Sequence, residues 1–301
     1  MRLLLCGGTG FIGKALTYAL LSRGDEVWII TRNKPLKPTH DSTLPHPHYV
    51  TWTEWSVDPD CLGEFDGIIN LTGESINQRW SKKAKERILS SRIEAAARIA
   101  DNLKRMSSPP AVVINASGIS LYGHSVDQVF DESSPTMPAD FLGEVVVKWE
   151  QAAELIPVER LVKLRIGIVC AGEGGAFPII RLPYRFFGGG RIGNGKQGLP
   201  WIHLQDMVSL ILFCLDNPAI SGPVNAVAPD PVSNDEFGRM LGRVTKRPHW
   251  FPVPGLFLKK ALGEMSTLVL TGQKAMPRKL LDQGFSFAFP KLEEALRDIT
   301  R

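Results

Sequence analysis

Apolar positions along the chain follow two rhythms. Short continuous runs that end in glycine or a small polar residue predict buried strands. They are Leu3-Leu4-Leu5-Cys6, Glu26 to Thr31, Phe65 to Thr72, Ala111 to Ser117, Arg160 to Val169 and Gly222 to Val227, with Tyr49 to Thr53 as a further short strand. Between them, apolar residues recur three and four apart, the period of a helix with one buried face. This predicts helices from Phe11 past Leu20, over Trp80 to Met106, over Phe141 to Leu155, after Asp206 as far as Asn217-Pro218, and over 233–245. In the longest, Ser81 is the expected cap, and Ile88, Ile93, Ala96, Ala97, Ala100 and Leu103 the expected apolar face. Ser233 and Glu236 stand at the capping-box spacing. Strand and helix alternate through the first half, so the predicted fold is α/β, a Rossmann-type doubly wound parallel sheet covered on both faces.

Turn-forming residues set the boundaries. Residues 33–48, rich in Pro, His, Thr and Lys, read as a loop, and so do Asp127 to Asp140. After Cys170 the alternation ends, and prolines and glycines punctuate the rest. Residues 1–169, with 199–227 returning to them, are expected to form the nucleotide-binding domain. Residues 170–198 and 228–301 are expected to form a smaller, mostly helical substrate lobe.

The first strand runs into Cys6-Gly7-Gly8-Thr9-Gly10-Phe11-Ile12-Gly13 and then directly into a helix. The glycines fit two registers, Gly8/Gly10/Gly13 and Gly7/Gly10/Gly13. In a strand–turn–helix such glycines let backbone approach a diphosphate, while the helix N-terminus presents its free N–H groups. A dinucleotide is the expected ligand. An acidic residue at the end of the second strand would hydrogen-bond the ribose 2′-OH of NAD; here Thr31-Arg32-Asn33 stands instead, with no carboxylate before Asp41. Arg32 suits a 2′-phosphate, so NADP(H) is the expected form.

Composition and charge exclude other classes. The chain is 44% hydrophobic and 22% charged, as in ordinary globular proteins, and 301 residues supply a sizeable core. A net charge of +4 without a separate basic block gives no nucleic-acid footprint. No run of about 18 apolar residues is present, so neither a spanning helix nor a membrane partner is expected. No secretory leader is visible, and Cys6, Cys61, Cys170 and Cys214 lie far apart, which suits reduced thiols in a cytoplasmic protein. The Asn70 and Asn115 glycosylation patterns fall at strand ends and are discounted. His40, His46 and His48 lack cysteine or carboxylate partners, so no metal is expected. Gly190 to Gln197 nearly matches a P-loop, but Gln197 cannot supply the hydroxyl for Mg²⁺ and no strand leads into the turn; a mobile basic loop near an anionic ligand is the expectation. Arg92 could reach the ligand, but a place at the surface is the readier expectation.

Several segments occur together in order: the glycine corner, Asn70-Leu71-Thr72-Gly73-Glu74, Ala116-Ser117-Gly118 followed by Tyr122-Gly123, Trp201-Ile202-His203 with Asp206, and a terminal part containing Arg247 to Pro254 and Gly272-Gln273-Lys274. With these the chain resembles the extended short-chain dehydrogenase/reductase superfamily, in its atypical epimerase-family branch, over nearly its whole length. The resemblance implies a Rossmann domain with a substrate lobe and a C-terminal domain of that branch. It also implies NADP(H), with Gly7, Thr9, Gly10, Phe11 and Ile12 at the pyrophosphate and Thr31 and Arg32 at the 2′-phosphate. Leu71, Thr72 and Gly73 would lie beside the adenosine–nicotinamide bridge, and Ser117 near the nicotinamide.

Catalysis departs from that pattern. The superfamily uses serine with Tyr-x-x-x-Lys, and none of Tyr18, Tyr49, Tyr122 and Tyr184 has lysine four residues on. At the corresponding helix Lys148 fits the lysine, and Glu144 occupies the tyrosine slot. A carboxylate with an ordinary pKa of about 4.3 must be raised by burial to act as an acid at neutral pH, and Lys148 would oppose the rise. Three readings stay open. The first is an oxidoreductase or epimerase acting on a small or nucleotide-linked carbonyl or hydroxyl compound, with Ser117 orienting the reacting oxygen, Lys148 holding the nicotinamide ribose and Glu144 relaying a proton. The second is a non-catalytic NADP(H)-binding sensor or regulatory module. The third is a UDP-sugar epimerase proper. In the first reading Trp201 and His203 could line the substrate side, His203 more readily as a structural cap. Relatives pair through helices like 80–106, so a homodimer is one assembly open to the chain.

Overall fold

The computed structural model describes residues 1–34 and 45–301. His40, Asp41 and most of the expected 33–48 loop lie outside the described residues. Seven strands form one parallel sheet: β1 (Arg2–Cys6), β2 (Glu26–Thr31), β3 (His48–Thr51), β4 (Gly67–Asn70), β5 (Val112–Gly118), β6 (Arg160–Ile166) and β7 (Gly222–Ala226). Their spatial order is β3-β2-β1-β4-β5-β6-β7. The order reverses between β1 and β4, which opens a crevice at the carboxyl ends of these strands, where doubly wound sheets bind ligands.

Helices cover both faces because the strands are apolar on both. Helices α1 (Phe11–Arg23), α2 (Trp52–Val57), α3 (Lys82–Leu103), α4 (Phe141–Glu154), α5 (Phe177–Arg185), α6 (Leu204–Asp216) and α7 (Asn234–Thr245) follow in chain order. Leu16 and Leu20 of α1 and Met207 and Leu210 of α6 pack with Leu3, Leu5 and Ile114 on one face. Trp55, Ala96, Ile99 and Ala153 pack with Leu4, Ile68 and Val113 on the other. Alternate residues of one strand thus enter different cores, as a period of two requires.

A third core belongs to the lobe. Phe177 and Tyr184 of α5, Trp201, Phe237 and Leu241 of α7, and the terminal helix Leu292–Ile299 pack together there. Not all of 228–301 stays with the lobe. Leu280 and Phe285 join the core beneath the sheet, and Lys274–Ala275 pairs with Val129–Phe130 inside the stretch expected to be loop.

Other elements shift in informative ways. The strand expected over Tyr49 to Thr53 stops at Thr51, because Thr51 and Glu54 form a capping box that starts α2. Ser81 caps α3, accepting from Ala84 N–H as expected, and the helix begins at Lys82 rather than Trp80. Ala97 is exposed, while Ala95 and Ile99 are buried, so the apolar face is rotated from the expected one. Cys6, Cys170 and Cys214 are buried and Cys61 is exposed, all four as free thiols. Burial pushes the Cys170 and Cys214 thiols up to about 12. Among the described residues no helix is long and apolar enough to cross a membrane.

The capping box at α7 is complete: Ser233 Oγ accepts from Glu236 N–H, and the Glu236 carboxylate accepts from Ser233 N–H at 2.7 Å. Ser233→Ala is expected to lower stability by about 1 kcal/mol, read as a shift of the urea midpoint at unchanged slope.

Candidate active site

The crevice is framed by the turns that follow β1, β4 and β5. Gly7 adopts φ +84°, and a Cβ there would stand 2.9 Å from the Leu71 carbonyl. A Cβ at Gly13 would stand 2.2 Å from the Gly7 carbonyl oxygen. Gly10 is the N-cap of α1 and donates its N–H to Gly7 O at 3.0 Å. Gly7, Gly10 and Gly13 therefore build the corner, while Gly8 packs against Ile29. No side chain caps α1, and its first turn carries no acidic residue. The first-turn amides of this 13-residue helix are thus left without a side-chain acceptor at its positive end, an arrangement that fits a diphosphate.

The second turn is held from below. Asn70 and Asn115 are buried side by side at the ends of β4 and β5, and Asn70 Nδ2 donates to Asn115 Oδ1 at 2.7 Å. Asn70 Oδ1 accepts from Thr72 N–H at 3.1 Å, and Leu71 N–H donates to Cys6 O. Leu71 and Thr72 are thereby brought against the glycine corner, and Gly73 follows them. Beneath Gly73 lies Arg92, which donates to Glu74 O and Ile88 O and stacks over Trp149. Arg92 is therefore not at the surface as expected, and burial brings its guanidinium down to about 10.

At the end of β2, Thr31 Oγ1 donates to Asn33 O. Arg32 is exposed and makes no hydrogen bond or ion pair with a described residue. The neighbouring Glu54 carboxylate is taken up by Lys34 and Thr51, and Lys34 holds it near 2.

Close packing brings α4 onto the end of β5. A Cβ at Gly118 would stand 2.9 Å from Val146, and one at Gly143 3.1 Å from Ser120 O. Glu144 and Lys148 lie one turn apart on α4, both exposed and without a partner among the described residues. Ser117 points the other way. Its hydroxyl donates to Glu150 Oε1 at 2.7 Å, inside a buried network.

Sequence reasoning missed that network. Arg165 donates to both Glu150 oxygens, at 2.9 and 3.1 Å, and to the Tyr122 hydroxyl at 2.8 Å. Tyr122 donates onward to Asn225 Oδ1, and Lys163 stands 3.3 Å from Glu150. The available signal was Lys163 and Arg165 two residues apart in the buried middle of the strand Arg160–Ile166. Burial pushes the Glu150 carboxyl up, but hydrogen bonds from Arg165 and Ser117, together with the Arg165 and Lys163 charges, outweigh it and hold the group below the usual carboxylate range. Burial, with a smaller push from the Glu132 charge, raises the Tyr122 hydroxyl against the pull of Arg165 and Asn225.

Two further expectations change. Trp201 does not line the crevice; it is buried in the lobe core, with Nε1 donating to Asp230 O. The 191–198 loop is not a free basic strap, because Gln197 Nε2 donates to Ile192 O and Val269 O and the Ile192 backbone pairs with Val253. His203 acts as the cap: its Nδ1 accepts from Gln205 N–H at the start of α6. Burial lowers His203, and Asp298 nearby opposes that shift.

Comparison with known proteins extends this picture. Residues 3–140 match the NAD dependent epimerase/dehydratase family, and residues 253–299 match a domain of unknown function, DUF1731. Epimerase family protein YfhF of Bacillus subtilis is 41% identical over 302 residues, covering 99% of this chain and 98% of the relative. Epimerase family protein SDR39U1 of mouse is 37% identical, with 99% of both chains covered. The crystal structure of human SDR39U1 with NADPH superposes with a TM-score of 0.90 at 35% identity, again over 99% of each chain.

Removing one partner of the buried pair should leave an uncompensated charge. Glu150→Ala is expected to cost about 3–5 kcal/mol in chemical denaturation, with Glu150→Met/Arg165→Met closer to the parent. The sign with pH follows from the lowered carboxyl. Its contribution is present above the ordinary carboxylate pKa and is lost as pH falls through the lower folded-state value, so the parent should lose stability in acid faster than the double variant.

Proposed function

The chain belongs to the NAD dependent epimerase/dehydratase family, and from that premise we propose that it binds NADP(H) and acts as an oxidoreductase or epimerase on a small or nucleotide-linked carbonyl or hydroxyl compound. The observation that carries the coenzyme half is Arg32, a cation without a described partner at the end of β2, one strand over from the uncapped α1 corner. A guanidinium there pairs with a 2′-phosphate through two parallel N–H bonds. Human SDR39U1, crystallised with NADPH, supports the same choice.

In this reading Gly7, Thr9, Gly10, Phe11 and Ile12 hold the diphosphate through backbone amides, and Thr31 and Arg32 hold the 2′-phosphate. Leu71, Thr72 and Gly73 flank the bridge between the two nucleosides. The coenzyme supplies or accepts hydride. Lys148 donates to a ribose hydroxyl, and its charge favours the ionised form of any proton carrier beside it. Glu144 exchanges a proton with the reacting oxygen once substrate and coenzyme exclude water from the crevice. Ser117 positions the end of β5 through Glu150 in the present geometry; orienting the substrate oxygen would need its hydroxyl to leave that carboxylate.

One observation favours a second reading, a non-catalytic NADP(H)-binding sensor or regulatory module. The Ser117 hydroxyl is committed to Glu150, and no tyrosine carries the lysine four residues on. Pairing of two copies through α3 has to respect the chain's own packing. Met265 and Leu268 sit against Trp80, Ile88 and Phe141, and Lys85 pairs with Glu264, so the first turns of α3 are already covered.

Calorimetry with both coenzymes tests the binding half. Arg32→Ala should weaken NADPH by about tenfold or more, the scale of a lost charge-assisted pair, and leave NADH nearly unchanged; equal losses would remove the 2′-phosphate assignment. Absorbance of NADPH mixed with a panel of carbonyl compounds tests the catalytic half. Turnover that drops by two or more orders of magnitude in Glu144→Gln, within the range of general acid–base catalysis, with NADPH affinity retained, supports the enzyme. Tight binding with no oxidation of coenzyme across the panel supports the module.

A further inference from the structure

The lobe displays a face unlike the rest of the molecule. Phe186, Phe187, Trp250, Phe251, Leu256 and Phe257 are each more than half exposed, between 52% and 77%. Scattered exposed apolar residues are ordinary, but a contiguous group of this kind marks an interaction surface. The two aromatic pairs are tied together, and the helix carrying Leu256 and Phe257 follows directly in the chain. Trp250 N–H and Phe251 N–H both donate to Gly189 O, and Trp250 Nε1 donates to Phe187 O at 2.8 Å. Val253 N–H donates to Arg191 O, which carries the chain into the helix Gly255–Leu262. Behind the aromatics, Tyr184 Oη pairs with His249 Nδ1 at 2.8 Å, and His249 Nε2 with Asp235 Oδ1 at 3.0 Å. The side chains are therefore held out by a hydrogen-bonded frame.

Charge is concentrated on the same segments. Residues 177–191 and 243–262 contain eight of the chain's 35 Lys and Arg and none of its 31 Asp and Glu, so the remainder of the chain is net negative. Arg247 lies over the Phe187 ring at 4.3 Å. The helix Gly255–Leu262 buries none of its residues. At about 100° per residue, Leu256 projects between Lys259 and Lys260, with Phe257 beside Lys260. Lysines flanking apolar side chains on one exposed helix face match an element lying in a lipid interface, where the stems run along acyl chains and the ammonium groups reach the headgroups.

We propose that this face docks on the surface of an anionic lipid bilayer. The expectation of no membrane partner rested on the lack of a spanning segment, which surface docking does not need. A second copy fits poorly, because a two-fold interface would press this basic face against itself. Nucleic acid fits less well than lipid, because Leu256 has no π-face on which a base could stack. The aliphatic and aromatic side chains enter the interface, and the cations contact phosphate headgroups.

Flotation of the full chain with vesicles of phosphatidylcholine and phosphatidylglycerol tests this, against phosphatidylcholine alone. Expected is salt-sensitive flotation with the anionic vesicles, weaker by about tenfold or more without the anionic lipid. Leu256→Asp/Phe257→Asp should abolish it, and Lys259→Glu/Lys260→Glu should reduce it by a similar factor, both with unchanged melting temperature. Absence of flotation at low salt would overturn the proposal. So would equal flotation of parent and variants, or a loss of self-association or of oligonucleotide binding in the variants without any vesicle binding.

Discussion

Backbone packed on backbone at the β1–α1 corner is the constraint on which the crevice depends. The Gly13 Cα sits so close to the Gly7 carbonyl that no side chain fits between them, and Gly7 in turn meets the Leu71 carbonyl. Two strand ends and one helix start are thereby drawn to a single point. The helix brings amides that no side chain has claimed, and dense packing leaves them nowhere to turn except outward. A diphosphate satisfies such amides without any cation from the corner itself. One strand over, Arg32 is exposed and makes no hydrogen bond or ion pair with a described residue.

A second device keeps the carboxyl ends of β5, β6 and β7 together. Parallel strands end with polar groups that must be paired if buried. Here Asn70 and Asn115 pair across β4 and β5, and Glu150 gathers Ser117, Arg165 and Lys163 from two strands. Tyr122 and Asn225 carry the chain of hydrogen bonds to β7. Each charge has a partner, so burial strengthens the pairing and does not eject it to solvent. The same network takes up the Ser117 hydroxyl and leaves Glu144 and Lys148, one turn apart on α4, exposed and unpaired among the described residues. This division between a rigid buried floor and an exposed chemical rim separates the two functional readings.

The lobe is stitched to the sheet domain at several places. Leu280 and Phe285 enter the sheet's own core, Lys274–Ala275 pairs with Val129–Phe130, and Met265 and Leu268 cover the start of α3. What this stitching leaves uncovered is the basic aromatic face around Trp250 and Leu256.

Local patterning by itself determined the sheet, the main helices and the glycine corner. A buried strand, a βα turn and a capping box are each written within about ten residues, where propensity and period act directly. Ser81, Ser233 with Glu236, and Gly7 with Gly10 and Gly13 were legible for that reason, as was the lack of a carboxylate beside Arg32. The family resemblance was likewise legible in motifs standing in order. Tertiary packing alone decided what lies between distant segments: that Ser117 turns to Glu150, that Arg92 folds beneath Gly73, that Trp201 goes to the lobe core, and that 274–287 packs on the sheet domain. These outcomes depend on which of two faces a strand residue meets and on which partner is near enough to satisfy a buried polar group. Both are set by neighbours tens of residues away, and no local period contains them.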